Sequence, residues 1–309
     1  EDLPDPLTLK DMPKAVARLV EAVRRKEEVL LFGDYDADGI VSIAILKTAL
    51  DRAGARAGFQ VPSRLREGYG LRTEVIEQAA ATGIKLLISA DTGIRAGEAI
   101  RRARQLGLDV IVTDHHLPEE DLPPALAILN PKQPDCPYPF KDLCGAGVAF
   151  KLVQALCNRL NLADRYLDYV DLAALGTVAD IVDLSGENRI IVWAGLKKIQ
   201  RRPNLGIQAL LKVSEVTNRE IDTWLLGYIL APRINAAGRM GDASRGVYLF
   251  TAADPVQAED IARQMQQDNI LRQKTQEVIF QKSVEAIETD PSLKDDKVIV
   301  VCGEGWHHG

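Results

Sequence analysis

Four short segments of this sequence carry acidic or histidine side chains at spacings that suit metal binding. Three of them follow short apolar runs, at 29–32, 86–90 and 110–113. Each run has the length of a buried parallel strand, and the loops at the carboxyl ends of such strands meet in one crevice. Carboxylates gathered there repel one another, so a divalent cation is the natural compensation. The segments are Asp34-Tyr-Asp-Ala-Asp-Gly39, Asp91-Thr-Gly93, Asp114-His-His116 and the single residue Asp180.

The first segment also matches the opening of a calcium-binding EF-hand loop. An EF-hand needs a carboxylate at its twelfth position, which is Ile45 here. The helix-loop-helix context of an EF-hand is absent as well. In a strand-to-helix turn, alternate residues in extended chain project to one side, which suits a catalytic metal.

The aspartate and histidine turns are ambiguous when each is taken alone. An aspartate before Thr-Gly is commonly a helix N-cap, and paired histidines are often merely exposed. Here they stand at successive strand ends and use two of the four histidines in the chain. We therefore interpret them as ligands. A set rich in carboxylate oxygens favours manganese or magnesium over zinc.

Composition and element order predict the architecture. The chain has 309 residues, of which 46% are hydrophobic, enough for two domains. Residues 12–129 alternate between predicted strands and helices, which specifies an α/β fold: a mostly parallel sheet with helices on both faces. Helical periodicity follows in the segments 145–160, 165–178, 188–200, 205–213 and 222–230. A long connector helix is predicted from 255 to about 287, and a strand at 298–301. We predict that this strand starts a second α/β domain, the rest of which is missing.

Charge and hydropathy narrow the functional classes. The net charge of −6 argues against broad nonspecific nucleic-acid binding. Local arginine clusters argue the other way, although the one in helix 95–107 fits an ordinary solvated face. No apolar run approaches the roughly 20 residues that span a bilayer, and the charged opening is not a signal peptide. We expect a cytoplasmic protein with no membrane partner.

In its motifs the chain resembles the DHH phosphoesterase superfamily, and within it a branch of single-stranded-DNA exonucleases. The superfamily is marked by the four segments above, with Asp180 inside Gly176-Thr-Val-Ala-Asp180. The exonuclease branch is marked by Arg64-Leu-Arg-Glu-Gly-Tyr-Gly70 and Pro232-Arg-Ile-Asn-Ala-Ala-Gly-Arg239. The resemblance implies a DHH catalytic domain at 1–186, a helical extension with a phosphate-binding arginine motif at 187–252, the connector at 253–290, and the start of a truncated DHHA1-like domain at 291–309.

The resemblance also implies roles for individual residues. Two ions, Mn²⁺ or Mg²⁺, would be held by Asp36, Asp38, Asp91, His115 and Asp180, with Asp91 bridging them. Asp34 is a further candidate ligand. His116 would face the scissile phosphate, and Asp114 would orient the histidines. Two ions can lower the pKa of a bridging water and stabilise the attacking and leaving oxygens.

Two further segments are candidates for substrate binding. Arg233, Asn235 and Arg239 would hold neighbouring or terminal phosphates, since guanidinium matches phosphate bidentately. The alternative is a helix end whose arginines offset the dipole. Tyr69, with Arg64 and Arg66, would offer an aromatic face and cations to single-stranded bases; otherwise it is an ordinary turn tyrosine.

Three functions remain open from sequence. The leading one is a metal-dependent exonuclease that degrades single-stranded DNA from its 5′ end to mononucleotides in repair and recombination. The polarity comes from the resemblance alone. A single-strand-binding protein and a helicase would be its protein partners. The second is a phosphodiesterase or phosphatase acting on short oligonucleotides or small nucleotides. The third is a noncatalytic replication scaffold, which the intact ligand set disfavours.

Overall fold

The centre of the fold is one parallel sheet, as predicted. The computed structural model describes residues 3–62, 68, 70–216, 219–290 and 297–306. Five strands are hydrogen-bonded in the order β2-β1-β3-β4-β5, and every neighbouring pair is parallel. The strands are β1 Glu28–Gly33, β2 Arg56–Gln60, β3 Leu86–Ala90, β4 Asp109–Thr113 and β5 Ala127–Leu129.

Eleven α-helices lie in the described part of the chain. They are α1 Met12–Arg25, α2 Ala37–Ala53, α3 Thr73–Ala81, α4 Gly97–Gln105, α5 Gly145–Arg159, α6 Val170–Ala179, α7 Gly186–Arg201, α8 Leu205–Val213, α9 Ala231–Met240, α10 Ser244–Phe250 and α11 Pro255–Thr289. Short 3₁₀ segments cover Pro6–Thr8 and Ala163–Tyr169, and a π-helix covers Leu225–Leu230. None of the described helices has both the length and the apolar character needed to cross a bilayer.

Helices cover both faces of the sheet, and successive side chains of each strand point to opposite faces, so side chains on both faces are buried. In β1, Leu30 and Phe32 belong to a core shared with α3 and α4. Their neighbours Val29 and Leu31 belong to a larger core shared with α1, α2 and α5. This two-sided burial explains why the strands read as continuous apolar runs. The resulting layers fix the strand ends, and therefore the loops that carry the candidate ligands.

Four local features differ from the sequence-based expectations. Helix α10 was not predicted. The expected helix at 165–178 is split into a 3₁₀ segment and α6. Within the helix expected at 222–230, residues Leu225–Leu230 are π-helical, because Pro232 has no N–H to donate to the carbonyl of Tyr228 and an inserted residue relieves the clash of its ring. Residues 298–301 adopt no strand conformation, so the start of a second domain stays a prediction.

A buried polar network joins the amino-terminal segment to α5 and α7. The Lys151 side chain is 0% exposed; its Nζ lies 3.0 Å from Glu187 Oε1 and donates to the carbonyl of Pro4 at 2.7 Å. The Tyr138 hydroxyl donates to Glu187 Oε2 at 2.6 Å. A buried charge is tolerated only when it is paired and hydrogen-bonded. Lys151 meets both conditions, whereas Glu187 is paired with Lys151 and hydrogen-bonded through Oε2 while its Oε1 accepts no hydrogen bond from the described residues.

We expect Lys151→Met to lower the free energy of unfolding by about 3 to 5 kcal/mol, because it leaves the Glu187 carboxylate buried without its cation. Urea denaturation measures this loss. The matched control is Lys212→Met, which breaks the solvent-screened pair with Glu259 and should change the free energy of unfolding far less. Equal effects of the two substitutions would show that the Lys151 network contributes no more than a surface ion pair.

Candidate metal centre

The loops at the strand ends bring the predicted ligands together. Asp34 and Asp36 follow β1, Asp91 follows β3, His115 follows β4, and Asp180 closes the carboxyl end of α6. Within the described residues, three sets of side chains have ligand atoms within 4.8 Å of one another. The sets are Asp34–Asp36–Asp91, Asp38–His115–Asp180 and Asp91–His115–His116.

The aspartates of the first loop are positioned by backbone N–H groups. Asp36 caps α2 by accepting a hydrogen bond from Gly39 N at 3.0 Å. Asp34 accepts one from Tyr35 N at 2.7 Å. Asp38, inside the first turn of α2, accepts bonds from the N–H groups of Gly145 and Ala146 at 2.6 and 2.8 Å. The positive end of the α5 dipole therefore faces the Asp38 carboxylate.

Asp91 lies at the centre of the cluster in an unusual backbone conformation. Its φ of 60° is in the left-handed region, which aspartate tolerates better than most residues. Its carboxylate packs against Gly145, where a Cβ would lie 2.6 Å from the Asp91 Cβ. Only glycine fits that position. The approach brings Asp91 Oδ1 to 3.1 Å from His115 Nε2.

Unpaired buried atoms show that this donor set fits a cation. Asp91 Oδ1 and both ring nitrogens of His115 are buried and have no hydrogen-bond partner among the described residues. Asp38 Oδ2 and Asp180 Oδ2 lie 3.9 and 3.6 Å from His115 Nε2. Buried polar atoms are normally hydrogen-bonded, and their lone pairs here converge. Carboxylate oxygens with one or two imidazoles are a suitable set for Mn²⁺ or Mg²⁺.

The pKa values of the clustered side chains also indicate a site that fits a cation. Burial and the neighbouring Asp36 raise the pKa of Asp34 to about 7. Burial and Asp36 also raise the pKa of Asp180 to about 6. The pKa values of Asp38 and Asp91 lie well above the ordinary value, through burial and then through nearby carboxylates. Burial lowers the pKa of His115 to about 4, so its imidazole is neutral at pH 7. The protein thus holds together carboxylates that repel one another.

Asp114 orients the histidine turn. One of its oxygens accepts hydrogen bonds from the backbone N–H of His115 and of His116 and contacts His116 Nδ1 at 2.7 Å. The other accepts from Ile94 N at 2.9 Å. Burial works to raise the pKa of Asp114, but these hydrogen bonds lower it overall. Its carboxylate in turn raises the pKa of the His116 imidazole.

The arginine motif lies on α9, and part of it supports the metal centre. Asn235 Oδ1 accepts a hydrogen bond from Ala37 N at 2.8 Å, and a Cβ at Gly238 would lie 2.7 Å from the carbonyl oxygen of Tyr35. Arg233 donates from Nε to Gln266 on α11 and from Nη1 to the carbonyl of Ile229. Arg239 has no ion-pair partner among the described residues.

Some site residues lie outside the described structure, and others were not expected. Arg64, Arg66 and Tyr69 fall outside the described residues, so their roles stay predictions. The sequence analysis missed the backbone of Gly145 and Ala146 and the close approaches at Gly238. The available signal was the small-residue run 145–147 at the start of a helix, which indicates close backbone contact but does not reveal the contacting residue.

Comparisons with known proteins identify the class. The sequence profile described as "DHH family, N-terminal domain" matches residues 28–177. The single-stranded-DNA-specific exonuclease RecJ of Bacillus subtilis is 41% identical over 100% of this chain and 38% of its own length. A crystal structure of exonuclease RecJ bound to manganese matches with a TM-score of 0.84 and 36% identity, over 92% of this chain and 71% of that one.

A crystal structure of RecJ from Thermus thermophilus in complex with Mn²⁺ matches with a TM-score of 0.81 and 34% identity, over 94% of this chain and 41% of that one. The protein is therefore a member of the DHH family. Within that family it belongs to the RecJ branch. The chain spans 38% to 54% of the length of the RecJ proteins from Bacillus subtilis and Dickeya dadantii.

Proposed function

We propose that this chain is the catalytic part of an exonuclease that uses two divalent cations to hydrolyse single-stranded DNA from its 5′ end, releasing nucleoside monophosphates in repair and recombination. The observation that carries the proposal is the pair of ligand sets beside Asp91, Asp34–Asp36–Asp91 and Asp38–His115–Asp180, at the carboxyl edge of the sheet. The RecJ relatives, by their names, act on single-stranded DNA, and solved RecJ structures contain Mn²⁺ or Mg²⁺.

Each ligand set would hold one ion, with Asp91 adjacent to both. When bound, two ions acidify a water molecule and neutralise charge on the attacking and leaving oxygens of the phosphate. Asp36 and Asp38 keep their positions through the helix caps described above, so the site is organised before substrate arrives. Because these carboxylates are already fixed, they need little rearrangement during the reaction, whereas water molecules in their place would have to reorient.

His116 would contact the phosphate that is attacked. Asp114 holds its Nδ1 and favours the imidazolium form. A protonated ring donates from Nε2 to a nonbridging oxygen and balances charge that grows as the phosphodiester is attacked. Asp114 acts by fixing the ring orientation.

Arg239 would bind the 5′-terminal phosphate. Burial, and then the charge of Arg239, lowers the pKa of Arg272 on α11. These two guanidinium groups are close enough to influence each other, and neither has a carboxylate partner among the described residues. A phosphate dianion would stabilise such a pair. Arg233, which is bonded to Gln266, would instead keep α9 against α11 beside this phosphate.

We expect Arg239→Ala to raise KM roughly 10- to 100-fold for 5′-phosphorylated strands, the loss that accompanies removal of a charge-assisted hydrogen bond. Strands with a 5′-hydroxyl should show no such change. Steady-state kinetics on both strands tests this, with Arg201→Ala at the end of α7 as a charge-matched control. An equal increase in KM for the two strands would show that Arg239 does not bind the terminal phosphate.

The proposed activity is tested by Mn²⁺-dependent hydrolysis of three substrates in parallel: a 5′-labelled single strand, the same strand as blunt duplex, and a bisphosphorylated nucleoside. Release of labelled mononucleotide from the single strand alone supports the proposal and its polarity. Turnover confined to the small nucleotide would identify a phosphatase. No turnover of any substrate by a folded, Mn²⁺-loaded protein would favour a scaffold.

We place this activity in the cytoplasm, on strands supplied by a helicase or covered by a single-strand-binding protein. The support is the identity to RecJ proteins across the chain. Co-sedimentation of this protein with a helicase and with a single-strand-binding protein tests the proposed partners.

A further inference from the structure

An apolar groove opens beside the metal centre and is not part of the ligand cluster. Its volume is about 530 Å³, within the range of ligand-binding pockets. Residues on either side of Asp180 line one wall, including Ile181, and the π-helical segment lines the other with Trp224 and Tyr228. Asn235, which holds the first aspartate loop, lines it as well. The groove therefore adjoins the segment that carries Asp180 and the residue that supports the first aspartate loop.

The backbone around Ile181 is strained in a way that exposes an apolar side chain. Ile181 has a φ of 60°, a left-handed conformation that β-branched residues almost never adopt. Its side chain is 89% exposed. A strained residue directly after a candidate ligand, presenting a hydrocarbon surface to solvent, is typical of a functional contact.

The opposite wall presents two aromatic rings. Trp224 and Tyr228 are stacked with centroids 5.9 Å apart and planes at 24°. Tyr228 is 71% exposed. The π-helix that Pro232 imposes carries Tyr228, and such distortions are frequent at functional sites. Aromatic rings offer large rigid surfaces for stacking, and contiguous exposed apolar patches mark interaction sites.

We propose that the groove between Ile181 and the Trp224–Tyr228 pair is a stacking site for bases of the single strand next to the scissile bond. The inference rests on the proposed function and adds a base-binding site to it. Planar bases match an aromatic wall facing an aliphatic one, and stacking tolerates any sequence. Asn235 marks the end of the groove at which the strand's backbone would enter the metal centre.

The groove lies at the Asp180 side of the cluster, whereas a second cavity, lined by Thr92, Gly93 and His116, lies at the Asp114 side. The proposed ions would lie between the groove and this second cavity. A strand whose scissile phosphate contacts the ions would place one flanking nucleotide in the groove and the other in the second cavity. This geometry selects DNA over a protein partner as the occupant, because a protein seated in the groove would cover the approach to Asp180.

The test is steady-state cleavage of a normal oligonucleotide and of one whose bases are absent beyond the terminal nucleotide. Tyr228→Ala should raise KM for the normal strand roughly 5- to 100-fold, the loss of one stacked base, with kcat unchanged. It should leave the abasic strand unaffected. Tyr228→Phe should retain wild-type KM. Trp193→Ala, which removes an exposed aromatic ring of α7 that lies under Lys197, is the control and should have no effect.

Ile181→Gly separates a binding role from a structural one. Glycine relieves the left-handed strain, so the melting temperature should rise while KM for the normal strand increases. If the wild-type protein cleaves the normal strand and neither Tyr228→Ala nor Trp224→Ala raises its KM, the stacking site is wrong and the proposed function stands. If the wild-type protein cleaves neither strand, the proposed function itself fails.

Discussion

Replacing Asp91 with Asn is expected to abolish divalent-cation binding and exonuclease activity while raising the stability of the metal-free protein. Asp91 is 2% exposed and belongs to two of the three ligand sets. Asparagine keeps the shape of the side chain but removes the charge that repels Asp38. We expect Mn²⁺ affinity to fall by at least about 100-fold, and the free energy of unfolding without metal to rise by about 0.5 to 2 kcal/mol.

Calorimetric titration with Mn²⁺ and thermal denaturation in chelator measure the two effects. Asp183→Asn, an exposed aspartate three residues beyond Asp180, makes the same change in net charge and should alter neither. A variant that loses metal binding and also loses stability would show that Asp91 contributes to the fold, and that its charge is not a cost to the metal-free state.

The stability of the metal-free protein should fall as pH rises from about 5 to 7. In the unfolded chain, aspartates lose their protons near pH 4. In the folded protein, the pKa values of Asp34 and Asp180 are raised to about 7 and about 6. The folded state therefore binds more protons than the unfolded state in this window, so deprotonation disfavours folding. At one pKa unit per 1.36 kcal/mol, these two groups account for a loss of about 4 kcal/mol between pH 5 and pH 8.

Mn²⁺ should reverse this dependence, because ions bind the deprotonated carboxylates and stabilise only the folded state. Melting temperatures in chelator and in Mn²⁺, taken at intervals from pH 5 to pH 8, give the two curves. We expect the curves to converge near pH 5 and to be furthest apart near pH 8. A chelator curve that stays flat or rises through this range would mean that the aspartates do not repel one another in the folded chain.

Much of the fold followed from local patterns. Apolar runs at 29–32, 86–90 and 110–113 correspond to β1, β3 and β4 with boundary errors of one residue or none. Helix α11 ends two residues beyond its expected end. Runs of apolar residues report burial on both faces of a strand, and that burial depends little on which element covers each face. The π-helix at Leu225–Leu230 did not follow, because its cause is a steric conflict at Pro232 that helical periodicity does not encode.

The sequence by itself determined the chemistry of the centre: acidic and histidine side chains at strand ends, and the oxygen-rich ligand type. Only the tertiary structure decided how the ligands are grouped. Asp38 and Asp180 lie 142 positions apart and meet because α2 packs against α5 and α6. Likewise, Asn235 supports the first aspartate loop, and Ile181, Trp224 and Tyr228 line the same groove. Periodicity fixes the direction in which a side chain leaves its own element. The residue it meets depends on the packing of elements distant in sequence, which no local pattern contains.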